Sequence, residues 1–487
     1  MQLRAILAEM NVLAMHGSAA VEISGISCIA RRVLPGDLYF AIAREFENGE
    51  ADIELAIERG AAAVICRRMG NTRFRVPRIE VSDTRLALAE ASAFFYGNAG
   101  TKLHVIGVTG TSNTWKTTQL IKQLLERGGI KTGLICSLRH EVGDRTLPAS
   151  PLAEVCDTQK SFAAMVRAGC TACVVELPSI SPAALKGIPI NVLVFAGGEQ
   201  NLKALSLFVQ DRSSTPICGI VNCDDESGRA VSNSSIFKIQ LSYGFSGGSE
   251  VRASNLSFST TGSRFDLELA GSIAACELPL VGRENVHHLL GAAAASLSML
   301  TPKQVFGAMG HLRSIPASLE PVPNERGLAI YVDAAADPAS LSALFDSIKL
   351  LNPARTLLVM GSVQGISGKT RFDLGRVAAG FADHVILTSD NPGTEDMNEI
   401  CSAIAQGLEQ SQRGTYHIQA DREQAIRDLV SMTEPGDVAL ILGKGDRTYQ
   451  IIANTIVPFN DREVALECLQ ALPAPPVRTR SLALAAA

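Results

Sequence analysis

A loop with the residue types of a phosphate site follows the apolar stretch LHVIGVTG, which ends at Gly110. The stretch predicts a buried strand, and a helix is predicted from about Lys116 to Gly128. Strand, loop and helix in this order form the context in which backbone amides and a lysine ammonium hold an anion at the start of a helix. The sequence therefore indicates a candidate phosphate-binding loop, provided that the surrounding elements position it.

Length and composition indicate the class of protein in which this loop must work. The chain has 487 residues, of which 46% are hydrophobic and 19% charged, as expected for a globular α/β protein of about three domains. Its net charge of −5 comes from interspersed acidic and basic residues, so we expect no nucleic-acid partner and no membrane-surface patch. The 11 cysteines are interpreted as small core residues in a reducing compartment, rather than as a disulfide framework or a zinc site.

No segment has the pattern of a targeting signal or of a membrane anchor. The N-terminal stretch is interrupted by Arg4, Glu9 and Asn11, and no apolar run approaches the ~18–20 residues of a transmembrane helix. We expect a cytoplasmic monomer without membrane insertion.

Three successive α/β regions are predicted. The first has strands at Asp37–Ile42 and Ala62–Ile65 with a helix at Ile53–Arg59. The second has the loop region, then strands at 173–176, 191–195 and 217–222 in a parallel sheet covered by helices, with antiparallel strands expected between 235 and 277. The third has Rossmann-like strands at 329–333, 356–361, 384–388 and 438–442. We predict domains at 1–100, 101–312 and 313–473, and a frayed tail at 474–487.

Several segments, in order along the chain, resemble Mur ligases, and the MurE type in particular. The resemblance implies a three-domain α/β fold with an N-terminal UDP-binding domain, a central P-loop-like ATPase domain and a C-terminal Rossmann-like domain. The similar segments are VLPGDLYFAI at 33–42, AIERGAAAVI at 56–65, GVTGT at 107–111, VNCDDESGR at 221–229, PLVGRENV at 279–286, ILTSDNPGTED at 386–396, PGDVALILGKG at 435–445 and FNDREVA at 459–465.

The same resemblance implies a reaction and its residues. ATP with Mg²⁺ would phosphorylate a carboxylate of a UDP-linked peptidoglycan precursor, and the amine of an amino acid would then attack the acyl phosphate. Lys116 and Glu176 are the implied catalytic residues, and Glu176 is also the implied metal ligand, although a glutamate at a strand end is more often a cap or a salt-bridge partner. The implied nucleotide contacts are Gly107, Gly110, Thr111, Lys116, Thr117, Asn285 and Asp333, and the implied substrate contacts are Arg31, Asp390, Asn391, Gly443 and Lys444. For Asn285, a helix cap is an equally good interpretation.

Many chemistry-bearing positions depart from the family pattern. Aligned without gaps on the family's GVTGTNGKTTT, the loop has Asn113 for the glycine, Thr114 for the lysine and Trp115 for the magnesium-binding threonine. Lys116 replaces the lost lysine only if the loop holds two extra residues, and the matching TTQ at 117–119 argues against that insertion. In the third domain the arginine of the family's DNPR is Gly393, so a bidentate partner for a carboxylate is missing there.

Three hypotheses stay open at this point. The first is a degenerate Mur ligase homologue that does not turn over ATP and that binds a UDP-linked precursor or acts as a scaffold for cell-wall ligases. The second is an active ATP-dependent amide ligase, for a peptidoglycan precursor or for another small acid and amine, with Lys116, Glu176 and Asp224 or Asp225 rebuilding the site. The third is a nucleotide or UDP-sugar sensor that uses one retained pocket.

Overall fold

The fold is α/β and is organised around three main sheets, as predicted. The computed structural model describes residues 1–42, 49–68, 75–110, 113–148, 154–177, 187–198, 202, 205, 217–410, 414–453 and 455–473. The chain divides into two compact units. Unit 1 comprises Met1–Ser254, Asp266–Ala275 and His287–Leu312, and unit 2 comprises Asn255–Phe265, Cys276–Val286 and Arg313–Ala487. The predicted domain boundaries stay predictions, and the predicted tail at 474–487 lies outside the described residues.

The first sheet of unit 1 has five strands in the order β1-β5-β4-β3-β2, with β1 antiparallel to β5. The predicted strands of this region are present, as is the predicted helix. Helix α3 begins where the Asp83 carboxylate accepts from the backbone amides of Arg85 and Leu86, at 2.9 and 3.0 Å. The elements are α1 Leu3–Leu7, β1 Val12–His16, β2 Gly25–Ser27, β3 Asp37–Phe40, α2 Ile53–Glu58, β4 Ala63–Cys66, β5 Arg78–Val81 and α3 Thr84–Phe95.

The second sheet has eleven strands in the order β16-β15-β14-β13-β12-β11-β6-β10-β7-β8-β9. Its strands are β6 His104–Thr109, β7 Thr132–Ile135, β8 Arg139–Val142, β9 Arg145–Pro148, β10 Ala172–Glu176, β11 Ile190–Phe195, β12 Cys218–Asn222, β13 Ile239–Gly244, β14 Val251–Ser259, β15 Gly262–Leu269 and β16 Ser272–Leu278. The helices of this region are α4 Thr114–Arg127, α5 Val155–Arg167, α6 Glu226–Ser232, α7 Arg283–Ser296 and α8 Pro302–Met309.

Strand β6 lies between β10 and β11 and is parallel to both. Its residues from Val105 onward are buried because helices cover both faces of a parallel sheet, which explains the continuous apolar run of the sequence. The expectation of antiparallel strands after residue 235 is wrong for β13, which pairs in parallel with β12. Helix α6 connects these two strands, and a helical crossover returns the chain in the same direction.

The third sheet belongs to unit 2 and has the order β17-β18-β22-β19-β20-β21. Alternate residues enter two different cores: Leu358 and Leu440 face one, and Leu357 and Val359 face the other, so the sheet is covered on both sides. The elements are β17 Glu320–Pro321, β18 Ala329–Asp333, α9 Pro338–Lys349, β19 Thr356–Met360, α10 Gly368–Ala379, β20 His384–Leu387, α11 Met397–Leu408, β21 Thr415–Ile418, α12 Arg422–Met432, β22 Val438–Leu442, β23 Tyr449–Ile452, β24 Thr455–Pro458 and α13 Asp461–Ala471. Strands β23 and β24 form a separate antiparallel pair.

Candidate nucleotide and substrate sites

The candidate phosphate loop leads from β6 into α4, and Asn113 immediately precedes the helix. The backbone of Asn113 is left-handed, with φ 55°, a region that glycine and asparagine enter more readily than other residues. An asparagine at the position of the family's glycine is therefore compatible with this turn without any insertion. Helix α4 begins at Thr114, which is the position of the family's lysine in the gapless alignment.

Thr114 and Glu176 are in direct contact at the carboxyl edge of the sheet. Helix α4 places the Thr114 hydroxyl 2.6 Å from Glu176 Oε1, to which it donates, and β10 ends at Glu176. The other carboxylate oxygen, Oε2, accepts from the backbone amide of Ser137 at 2.6 Å. Both oxygens of the candidate metal ligand are therefore hydrogen-bonded within the protein.

Lys116 lies in the first turn of α4 and is only 6% exposed. Its Nζ is 5.7 Å from the centre of the Trp115 ring, and Trp115 is itself buried. Thr117 is also turned inward, since its hydroxyl lies 2.9 Å from His288 Nδ1. The structure thus brings Thr114 to Glu176 and Thr117 to His288; the phosphate contacts of Lys116 and Thr117 stay predictions.

The two glycines of the candidate phosphate-binding segment, Gly107 and Gly110, have packing roles. Gly107 is inside β6, where an added Cβ would lie 2.7 Å from a Leu177 methyl group. Gly110 leaves the strand, and a Cβ there would meet Ala196 Cβ at 2.9 Å and Thr114 Cγ2 at 3.0 Å. Both therefore require a small residue for close packing, and their nucleotide contacts stay predictions. Thr111 lies outside the described residues.

The two aspartates considered for a rebuilt site hold turns of the backbone. Asp224 accepts from the amides of Phe245 and Ser246 at 2.7 and 3.1 Å and lies 3.5 Å from His287 Nε2. Burial raises the pKa of Asp224, but the hydrogen bonds from His287 and Ser246 outweigh this and leave the pKa well below its usual value. Asp225 is the N-cap of α6, where it accepts from the Gly228 amide. Both aspartates thus stabilise backbone turns, and their part in a rebuilt site stays a prediction.

Asn285 and Asp333, the two nucleotide contacts implied for unit 2, are both buried and hydrogen-bonded to nearby backbone or side chains. Asn285 donates to the Val281 carbonyl at 2.8 Å and accepts from Ser318 at 3.3 Å. Asp333, at the end of β18, accepts from the amides of Leu319 at 2.7 Å and Ala335 at 2.8 Å. Asn285 lies inside α7, which begins at Arg283, so these contacts are not those of a helix cap, and the nucleotide contacts of both residues stay predictions.

The predicted substrate residues of unit 2 meet where β20 and β22 end, because the carboxyl ends of parallel strands share one edge. Asp390 is 1% exposed, and neither of its oxygens has a hydrogen-bond partner among the described residues. Its Oδ1 lies 3.9 Å from Nζ of the buried Lys444, which donates to Asn391 Oδ1 at 3.5 Å. Gly443 has a φ of 106°, and a Cβ there would lie 2.8 Å from Asp390 Oδ2.

Burial moves both charged groups of this pair toward their neutral forms. It raises the pKa of Asp390, an effect that the nearby Arg422 and Lys444 reduce. It also lowers the pKa of Lys444 to about 8. A buried carboxylate without a hydrogen-bond donor is costly, and this cost is the reason that burial raises the pKa of Asp390; the substrate contacts of these residues stay predictions.

A buried ion pair that was not anticipated from the sequence supports this edge. Arg422 at the start of α12 donates from Nε and Nη2 to the two oxygens of Asp461 at 2.8 Å each, and both side chains are 0% exposed. Its Nη2 also donates to the Leu442 carbonyl at 2.9 Å, and its Nη1 donates to the Ser389 carbonyl at 3.3 Å. The pair thus fixes the backbone immediately before Asp390 and Gly443. The segment FNDREVA contains Asp461, but nothing in the sequence links that residue to Arg422, 39 positions away.

In unit 1 the predicted substrate residue Arg31 is exposed. A cavity of about 390 Å³ lies beside it, lined by the segment after β2 and by residues of α5. Two cations, Arg32 and Lys160, line this cavity, and Arg31 is absent from its lining. The basic side chains at the cavity are therefore Arg32 and Lys160, and the substrate contact of Arg31 stays a prediction.

The magnesium ligand that the family resemblance implies, Glu176, stays a prediction. The described residues contain no group of three or more His, Cys, Asp or Glu side chains that could hold a metal. Glu176, the implied ligand, has both carboxylate oxygens hydrogen-bonded.

Among the helices of the described part of the chain, none is long and apolar enough to cross a membrane.

The sheets and the helices that cover them define an α/β protein, and comparison with known proteins specifies the family. Residues 108–296 match the Mur ligase middle domain, and residues 319–445 match the Mur ligase glutamate ligase domain. The chain is 32% identical over 486 residues to the UDP-N-acetylmuramoyl-L-alanyl-D-glutamate--2,6-diaminopimelate ligase of Geobacillus kaustophilus. The alignment covers 96% of this chain and 98% of that protein. This chain belongs to the Mur ligase family.

Solved structures agree on the fold. A structure of a UDP-N-acetylmuramoyl-L-alanyl-D-glutamate--2,6-diaminopimelate ligase has a TM-score of 0.65 at 22% identity, over 97% of this chain and 99% of that one. The MurF ligase of Thermotoga maritima in complex with ADP has a TM-score of 0.59 at 16% identity, over 92% and 96% of the two chains. The three-domain α/β architecture of the family is therefore present here.

Proposed function

We propose that this protein is a MurE-type member of the Mur ligase family that binds a UDP-linked peptidoglycan precursor but does not use ATP to extend it. The observation on which this rests is the 2.6 Å hydrogen bond from the Thr114 hydroxyl to Glu176. A threonine at the lysine position satisfies the carboxylate from inside the protein, and it has no charge with which to neutralise a phosphate.

The chemistry of the loop supports this proposal. Phosphoryl transfer depends on cations placed against the transferring phosphate, and the loss of such a group reduces the rate by orders of magnitude. Thr114 is short and neutral, and Trp115 is a buried aromatic where the family has a small hydroxyl residue. Asn113 keeps the turn of the loop, so the backbone persists while the charged and hydroxyl side chains are replaced.

Binding of the precursor is supported by the cavity of unit 1. Arg32 and Lys160 are cations of its wall that could contact a diphosphate, beside Asp37 and Asp157, and Tyr96 supplies an aromatic surface. The G. kaustophilus relative is named for a UDP-linked substrate, and it aligns with almost the whole chain. In this role the protein would hold the precursor or act as a scaffold for active cell-wall ligases in the cytoplasm.

A second candidate function is an active ATP-dependent amide ligase, and Lys116 favours it. This lysine is in the first turn of the helix after the loop and is 94% buried, and among the described residues no carboxylate is paired with its ammonium. A shift in the register of the loop would place that ammonium near a phosphate. The Thr114 to Glu176 hydrogen bond would then have to break.

Calorimetric titration of the full chain with ATP·Mg²⁺ distinguishes the two candidates. We expect no heat of binding, both for the wild type and for Lys116→Ala. Micromolar ATP affinity that Lys116→Ala abolishes would overturn the proposal and establish the rebuilt site. The triple variant Asn113→Gly, Thr114→Lys, Trp115→Thr restores the three central residues of the family loop and provides the comparison for a competent site.

A separate titration with the UDP-linked dipeptide precursor tests the binding role. We expect saturable binding that Lys160→Ala weakens about tenfold, because removing one charged hydrogen bond to a phosphate costs about 1.5 kcal/mol. Lys303→Ala, which changes an exposed lysine at the start of α8, is the matched control. The binding role fails if the precursor does not bind, or if both lysine variants weaken it equally.

A further inference from the structure

Two cysteines from separate parts of unit 1 face each other. Cys28 directly follows β2, and Cys156 lies in the first turn of α5. Their sulfur atoms are 3.9 Å apart, and the two side chains are 4% and 5% exposed. Neither cysteine forms a disulfide in the structure. The contact therefore joins the first, N-terminal sheet, which contains β2, to helix α5, which packs on the second sheet.

Both thiols are accessible to a small solute although they are buried. Cys28 and Cys156 line the cavity of about 390 Å³ described above, together with polar side chains such as Ser27, Asp37 and Lys160. This volume exceeds by about tenfold the ~30 Å³ share of one water molecule in the liquid. The cavity can therefore hold a molecule the size of hydrogen peroxide next to these two residues.

We propose that Cys28 and Cys156 are a redox modification site, at which a peroxide produces a reversible disulfide that links the N-terminal sheet to α5. This inference goes beyond the proposed function; the two cysteines line the cavity proposed for the precursor, but their oxidation requires no bound ligand. A disulfide requires a sulfur separation of about 2.05 Å, so the two atoms must approach by roughly 1.9 Å. Rotation about the two Cα–Cβ bonds supplies movement of this size.

The reaction balances with one peroxide. The Cys28 sulfur, as thiolate, attacks one oxygen of hydrogen peroxide; a sulfenic acid forms and hydroxide leaves. The Cys156 sulfur then attacks the sulfenic sulfur, the S–S bond forms, and the second oxygen leaves as water after taking up a proton. The two thiol protons and one peroxide thus become two water molecules.

The disulfide would close a loop of 128 residues. A loop of that length restricts the unfolded chain strongly, so we expect the thermal midpoint of unit 1 to rise by roughly 5 °C on oxidation. The rise should disappear when dithiothreitol is added. Neither effect requires ATP or a UDP-linked ligand, so this inference and the proposed function can fail separately.

The test is peroxide treatment of the full-length native protein, followed by non-reducing peptide mass spectrometry and a thermal scan. We expect a Cys28–Cys156 linked peptide and the upward shift in the wild type, and loss of both in Cys28→Ser and in Cys156→Ala. Cys468→Ser changes a thiol that is equally buried, at 4% exposed, in unit 2, and it should react like the wild type. The mass mapping uses only the wild type, so it decides the question even if a variant fails to fold.

Two results would overturn the proposal. One is oxidation of these two cysteines to sulfinic or sulfonic acids without a linked peptide, which would mean that the sulfurs cannot approach. The other is no reaction at either residue while other cysteines of the native protein are oxidised, which would mean that the pair is a packing contact only.

Discussion

Replacing Asp461 by asparagine should destabilise unit 2 by about 3–5 kcal/mol, because it leaves the Arg422 guanidinium buried without a counter-charge. Both side chains are 0% exposed, and the two hydrogen bonds between them are 2.8 Å long. Asparagine has nearly the same volume, but it turns an NH₂ group toward a guanidinium that can only donate. The carbonyls of Ser389 and Leu442 remain bonded to Arg422, so its charge cannot move to solvent without releasing the edge that holds the candidate substrate site.

The measurement must separate the two units. The only tryptophan, Trp115, is in unit 1, so its fluorescence follows that unit, and calorimetry together with circular dichroism is needed for unit 2. A loss of 3–5 kcal/mol corresponds to a midpoint roughly 10 °C lower for a unit of this size. The fluorescence transition of Trp115 should stay where it is.

Two further variants test the physical reason. Arg422→Met combined with Asp461→Leu removes both charges and should recover most of the lost stability, because an apolar pair pays no desolvation cost. Glu423→Gln breaks the exposed pair of Glu423 with Arg427, whose side chains are 54% and 46% exposed, and should cost less than about 1 kcal/mol. The reasoning is refuted if Asp461→Asn costs no more than Glu423→Gln, or if the double variant is as unstable as the single one.

Three other predictions follow from the described contacts. A double-mutant cycle of Thr114→Val and Glu176→Gln should give a coupling free energy of about 1.5 kcal/mol in denaturant unfolding, and a value near zero would remove the support for the proposed function. Gly443→Ala should lower stability by about 1–3 kcal/mol, since its left-handed φ and the carboxylate next to it resist a Cβ; an unchanged midpoint would contradict this. Burial and the charge of His417, whose ring nitrogen is 3.0 Å away, lower the pKa of His384, so the folded state prefers the neutral ring. Stability should therefore fall as the pH drops below about 6.5. Thermal scans at pH 7.5 and 5.5 should show that His384→Gln reduces that fall.

Several elements of the fold follow directly from local sequence patterns. The strand and helix around the candidate phosphate loop were predicted close to their observed bounds, β6 and α4, since a continuous apolar run followed by an amphipathic stretch is a local signal. The edge strand β21 was not predicted. Three of its four residues are exposed, so it lacks the apolar pattern that marks a central strand. The parallel pairing of β13 was also missed, because strand direction depends on the crossover and leaves no trace in the strand itself.

By itself the sequence determined the family, the α/β class and the replacement of the family's lysine by Thr114, because these depend on residue types in order along the chain. Only the tertiary structure decided what the replacement does. Thr114 and Glu176 are 62 positions apart, and only the pairing of β6 with β10 brings the hydroxyl to the carboxylate. The contacts of Arg422 with Asp461 and of Cys28 with Cys156 were likewise decided by the fold, because a hydrogen bond or a sulfur contact depends on a distance of a few ångströms that sequence separation does not encode.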